Sequence, residues 1–167
     1  PLALRAAGSL LAVTPDLKPS DYAAQLRDER TRLQKIGAEG VPLGVEASFS
    51  LSYQKLNADA ARVFRQLAVF PATFDGQAAA VTAADPDHAR LSELVRLSLV
   101  LYDATTERYH LHDLVHLFAA SLPSPSGLVL SGVEGRGAGG EGERAAAQLH
   151  HAAHYEAIAR AADQLYL

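Results

Sequence analysis

Two short runs of strand character, Leu99–Asp103 and Arg108–Leu111, stand four residues apart in a chain that otherwise reads as short helices, and this order constrains the fold more than any other feature. In the second run Tyr109 and Leu111 fall on one face and His110 on the other. Ala104–Glu107 has the length of a tight hairpin loop. Four helices are predicted ahead of the hairpin. The first is Val45–Leu56. The second is capped by Asn57, carries Ala60, Phe64, Leu67 and Ala68 on one face, and stops at Phe70-Pro71. The third starts at Asp75. The fourth, Pro86–Ser98, is introduced by Asp85-Pro86-Asp87 as cap, first-position proline and first-turn acid, and buries Leu91, Leu94 and Val95. A last helix, Asp113–Leu122, closes the unit. Helices followed by a hairpin and a closing helix describe a winged-helix domain over residues 45–122.

The flanks are simpler. Leu2–Val13 is an Ala- and Leu-rich helix with Arg5 as its one charge, a composition suited to burial. Pro15 and Pro19 mark a turn, after which Ser20 is placed to cap a helix with Tyr22, Leu26, Leu33 and Ile36 on its apolar side, ended by Gly37. Residues 1–37 thus form a small helical segment, and the glycines and proline of 38–44 form a linker. Residues 123–142 are rich in Pro and Gly and read as a flexible insertion. Residues 143–167 return to helical spacing, with Leu149, Ala153, Ile158 and Leu165 among the apolar positions. The predicted class is therefore mainly α: a small helical domain, a winged-helix domain with a short β-hairpin, then a C-terminal helix that begins a helical repeat region.

Composition removes several function classes. A net charge of -4 and a pI near 6.0 argue against a general binder of nucleic acid or membrane surfaces. With no cysteine there is no disulfide, no thiolate nucleophile and no Cys-ligated zinc, which fits a cytoplasmic chain. No apolar run reaches the roughly 18 residues of a membrane span. The chain has no methionine and opens directly in a helical pattern, as expected of an internal stretch of a longer polypeptide.

The chemistry concentrates at the hairpin's exit. Leu111-His112-Asp113 stands where strand gives way to helix, so Asp113 is the expected N-cap and His112 sits at the electropositive helix start, where a phosphate is favoured. Enzyme signatures are missing: there is no phosphate loop, nucleophile elbow or His-Glu-x-x-His helix. The glycines of 135–142 are neither preceded by a strand nor followed by a lysine, as a phosphate cradle requires. The groups His110, His112, His116 and His150, His151, His154 raise the question of a metal, but the second group suits a solvated helix face and no metal is expected. The helix before the wing balances His88, Arg90 and Arg96 against Asp87 and Glu93, a weak match to DNA.

Taken in order, these stretches resemble the NB-ARC proteins of the STAND class of signalling ATPases. Pro1-Leu2-Ala3-Leu4 is similar to the end of that family's Gly-x-Pro-Leu-Ala-Leu motif. Leu51-Ser52-Tyr53-x-x-Leu56, Phe64-x-x-Leu67-Ala68-Val69-Phe70-Pro71 and Leu94-Val95-x-x-Ser98-Leu99-Val100 are similar to helices of its winged-helix domain. Leu111-His112-Asp113 is similar to its Met-His-Asp motif, with leucine for methionine. The resemblance spans about residues 1 to 122. It implies that, in a longer parent, Pro1 packs near the adenine and His112 reaches the terminal phosphate of ADP, with Leu111 and Asp113 supporting the motif. It implies ADP/ATP with Mg as the parent's cofactor, and an upstream nucleotide-binding domain, downstream helical repeats and a homo-oligomer on activation as partners. The winged helix would close over ADP and release on exchange for ATP, making the parent a slow ATPase switch. This stretch lacks the phosphate loop and the Mg-binding acid, so neither catalysis nor a cofactor is expected of it alone. The alternative is a winged-helix DNA-binding transcriptional regulator.

Overall fold

The computed structural model describes residues 2–35, 42–122 and 145–156. The order is α1 (Leu2–Val13), α2 (Pro19–Lys35), α3 (Leu43–Tyr53), α4 (Ala58–Leu67), α5 (Gly76–Ala83), α6 (Ala89–Arg96), β1 (Leu101–Asp103), β2 (Arg108–His110) and α7 (Asp113–Ser121). A further helix covers 145–156. The described residues are mainly helical with one two-stranded antiparallel hairpin, as the sequence predicts. Pro1, the stop at Gly37 and the 123–142 insertion lie outside the described residues, as does the second half of the predicted C-terminal helix.

The core is built around α3, in which every residue from Glu46 to Ser52 is buried. One side of α3 packs on α1 and α2 and another on α7. A single apolar cluster consequently runs from Ala6 and Leu10 of α1 through Phe49, Phe64, Phe70 and Phe74 to Val115 and Phe118 of α7. Phe118 is its aromatic hub, with ring centroids 5.8 Å from Phe49, 6.0 Å from Tyr53 and 6.3 Å from Phe64. The helix α3 starts at Leu43, inside the predicted linker, with Pro42 in the cap position.

Side-chain caps set several boundaries. Asn57 Oδ1 accepts from Ala60 N, as expected of that cap, and Asp75, expected to start the next helix, caps it through Oδ1, which accepts from Ala78 N. Ser20 is no cap: α2 begins at Pro19, whose fixed φ suits a first helical position. The start of α6 also differs from expectation. Residues 86–88 form a turn instead of helix, closed by His88 N donating to the Asp85 carbonyl, and His88 adopts a left-handed φ of 55°. Asp85 still caps, from further upstream: its carboxylate accepts from Arg90 N and from Leu91 N at 2.9 Å. The α6 C-terminus is a Schellman motif, Leu99 N donating to Leu94 O and Ser98 N to Val95 O, with Ser98 at φ 56°. Asp85 is 5% exposed. Replacing it with alanine strands a buried N–H, so Asp85→Ala is expected to cost about 1 to 3 kcal/mol by urea denaturation. A loss below the error of the measurement would contradict the cap.

In the hairpin Leu101 faces His110, Tyr102 faces Tyr109 and Asp103 faces Arg108. The turn is held by Asp103, which accepts from Thr105 N at 2.9 Å and Thr106 Oγ1 at 2.8 Å. On the other edge of β2, Phe74 and Tyr109 exchange two backbone bonds of 2.8 Å each. This bridge pins the α4–α5 loop to the wing. The rings of Tyr109, Phe74 and Phe70 stack along it.

The α1–α2 segment joins the rest through polar as well as apolar contacts. Ser9 Oγ lies 2.6 Å from Ser98 Oγ. Glu29 of α2 accepts from Ser50 Oγ of α3 at 2.5 Å and, within α2, from Arg32 Nε at 2.9 Å.

Candidate functional site

The candidate site is the junction between β2 and α7. Leu111 leaves the strand 7% exposed and anchors the chain in the core, while Val115 and Phe118 bury the inner face of α7. Between these anchors His112 and Asp113 stand exposed at the helix start.

His112, not Asp113, is the N-cap. Its backbone is extended at φ -66° and ψ 145°, and its carbonyl accepts from Val115 N and His116 N. Its ring nitrogen Nδ1 accepts from Leu114 N at 3.2 Å. Asp113 is already helical, so its carboxylate serves as a first-turn acid favoured by the helix dipole instead of as the cap. The physical reason is that the first turn of α7 closes on the His112 carbonyl, one residue earlier than a cap at Asp113 allows. Asp113→Ala is accordingly expected to cost only about 0.3 to 1 kcal/mol, read from chemical denaturation, with the loss shrinking in high salt. A salt-independent loss larger than this would restore a capping role.

The cap fixes the imidazole's tautomer. A ring nitrogen that accepts from a backbone N–H carries no proton in the neutral ring, so His112 holds its proton on Nε2. Nε2 has no partner among the described residues, and the ring is exposed. The junction therefore presents one oriented N–H donor beside the positive end of a helix dipole, a combination suited to an anionic oxygen.

The other histidines of this stretch do different work. His116 faces inward and its Nε2 lies 2.7 Å from the Phe70 carbonyl, to which it donates. His110 pairs across the hairpin with Leu101. Among the described residues no three His, Asp or Glu side chains come together as a metal site. Of the residues the sequence singled out, Leu111, His112 and Asp113 are thus brought together and His116 is turned away. Two features escaped the sequence reading, His112 as its own helix cap and the His116 bond to Phe70. The spacing of four between these histidines was a visible signal that both lie near the first turn of one helix.

The alternative surface, α6, is largely committed to structure. Arg90 Nη2 lies 3.8 Å from Asp59, and its backbone N–H is held by Asp85. Arg96 is left as the exposed base.

Over 122 residues the chain is 38% identical to the regulatory protein AfsR of Streptomyces coelicolor, and over 123 residues it is 42% identical to that of Streptomyces griseus. Its relatives are regulatory proteins. Each match covers 71% of this chain, which spans only 12% of the length of either relative. No protein-family model and no solved structure matches. Among the described residues no helix is long and apolar enough to cross a membrane.

Proposed function

We propose that this chain is the regulatory helical and winged-helix module of a larger STAND-type nucleotide switch, closing over ADP in the resting state and releasing on exchange to permit assembly. The observation that carries this reading is the His112 Nε2–H, exposed, oriented by its own cap bond and set at a helix N-terminus. Such a donor fits the terminal phosphate of a nucleoside diphosphate. Relatedness to regulatory proteins supports a role in control rather than turnover. In the parent, ADP and Mg would be held mainly by an upstream domain, with Pro1 near the adenine. This chain would contribute one hydrogen bond and the bulk that closes the site. The differential contact, present only in the closed state, is what allows a nucleotide to bias the equilibrium.

The exposed ring supplies the test. Diethyl pyrocarbonate should modify His112 readily in the isolated chain, and ADP should protect it in the parent. His116, engaged with the Phe70 carbonyl, should react slowly in both. Equal modification of His112 with and without saturating ADP would refute the contact. The DNA-binding alternative is less well supported, because α6 offers one uncommitted arginine where phosphate binding rewards several.

A further inference from the structure

Helices α2 and α3 meet through a polar seam with an unbalanced charge. Glu29 of α2 and Glu46 of α3 are each only 7% exposed. Glu29 is well satisfied, with Arg32 Nη2 at 2.5 Å, Arg32 Nε at 2.9 Å, Ser50 Oγ at 2.5 Å and Gln54 Nε2 at 3.4 Å. Glu46 is not: its Oε2 is fully enclosed and has no hydrogen-bond partner. Two carboxylates therefore face one guanidinium, and Arg32 turns its Nε and Nη2 donors to Glu29. The charged groups that act on Glu46 are Arg32 and Glu29, while Arg65 of α4 donates to Tyr53 Oη at the other end of α3. Arg5 of α1 is exposed, Asp113 of α7 is exposed and acidic, and His116 of α7 is engaged with Phe70. An enclosed carboxylate oxygen with no donor, whose one nearby cation is already bonded to Glu29, is cheaper to bury on the neutral acid.

We propose that Glu46 closes the α2–α3 seam by carrying a proton, so that Glu29, Arg32 and Glu46 form a proton-linked latch between the helical segment and the winged-helix unit. The latch holds while Glu46 is neutral and loosens when it ionises beside Glu29. The titration tendencies agree with the geometry. Burial lifts the Glu46 carboxyl above the ordinary 4.5, Arg32 opposing and Glu29 reinforcing the shift. Hydrogen bonds from Arg32 hold Glu29 below it against the cost of burial, with help from Ser50. The dipole of α3 favours an anion at this first-turn position, but Oε2 receives no backbone N–H. Because the folded value of Glu46 lies above its unfolded one, its contribution is complete below about pH 4.5 and is lost as pH rises through the folded value. The contribution of Glu29 runs the other way, complete above that pH and lost as pH falls through its depressed value. As a control on switching, the latch rests on the proposed function, since only then do α2 and α3 lie on the two sides of an opening; the proton linkage itself is a property of this chain.

The experiment uses the chain as it stands. It contains no cysteine, so a pair introduced at the exposed positions Gln25 and Lys55 gives unique sites for spin labels across the seam. Distances and melting curves are then followed from below about pH 4.5, where the acid is protonated in folded and unfolded chain alike, up to pH 8. The reading is the difference between wild type and Glu46→Gln, which mimics the protonated acid, so that pH effects arising elsewhere in the chain cancel. The wild type should develop a longer-distance population that grows several-fold with pH, and its melting temperature should fall by about 2 to 4 °C relative to the variant. Glu46→Met, neutral and without a donor, should be as flat as the glutamine variant and serves if that one folds poorly. A wild type whose pH response matches both variants would overturn the latch and leave the nucleotide reading untouched. An intact pH difference with His112 unprotected by ADP would refute the switch and keep the latch.

Discussion

In a full-length parent, His112→Ala is expected to raise the open population roughly 10- to 150-fold and to speed ADP release to match. The scale is that of one hydrogen bond to a charged group, about 1.5 to 3 kcal/mol, present only in the closed state. A ligand shifts an equilibrium by its differential affinity alone, so the loss appears in full as open molecules. His112 also caps α7, and alanine removes that bond as well, at about 0.5 to 2 kcal/mol of local stability. His112→Asn separates the two roles. Asparagine is among the best N-caps, so it should restore the stability of α7, yet its short side chain does not reproduce the ring's outward donor. Stopped-flow release of a fluorescent ADP analogue should therefore be fast in both variants, while only the alanine variant melts early. An asparagine variant that retains ADP like the wild type would return His112 to a purely structural role.

Phe118→Ala should have the largest effect on stability. The ring is 3% exposed and touches the rings of Phe49, Tyr53 and Phe64, joining α7 to α3 and α4. Emptying such a site costs about 3 to 5 kcal/mol, a large part of the roughly 5 to 15 kcal/mol that holds a domain folded. For a chain of this length the melting temperature should drop by roughly 6 to 20 °C. Since α7 carries His112, its cap amides should also lose protection from hydrogen exchange first. A drop of less than about 3 °C would mean that α7 is not docked as described.

The sequence displayed what local rules control. Asn57 and Asp75 cap as their side-chain chemistry dictates, the four-residue hairpin loop forms where predicted, and α1 runs over Leu2–Val13 as its composition indicates. Expectation failed where tertiary contacts chose between local options. Asp85-Pro86-Asp87 is a good helix start on paper, but a left-handed His88, whose Nε2 lies 2.9 Å from the Gly76 carbonyl, delays α6 to Ala89. At the candidate site, His112 and Asp113 were legible as a pair at a helix start. Which of them caps was not, because either can accept from a backbone N–H, and the packing of Leu111 and Val115 fixes the register. The polar seam between Glu29 and Glu46 joins residues from two helices and left no pattern in the sequence.

A hairpin of three-residue strands is a loose flap when isolated. Here β2 is gripped along both edges, by β1 on one and by the Phe74 bridge on the other. His112 follows three residues after Tyr109, the residue so gripped, so the place of the α7 start, on which the cap bond orients the ring, is tied to the α4–α5 loop rather than to the wing tip. The tip at Ala104–Glu107 is free to change in sequence or length without moving that start, whereas a shift of Phe74 would reach it through Tyr109 and the three residues that follow.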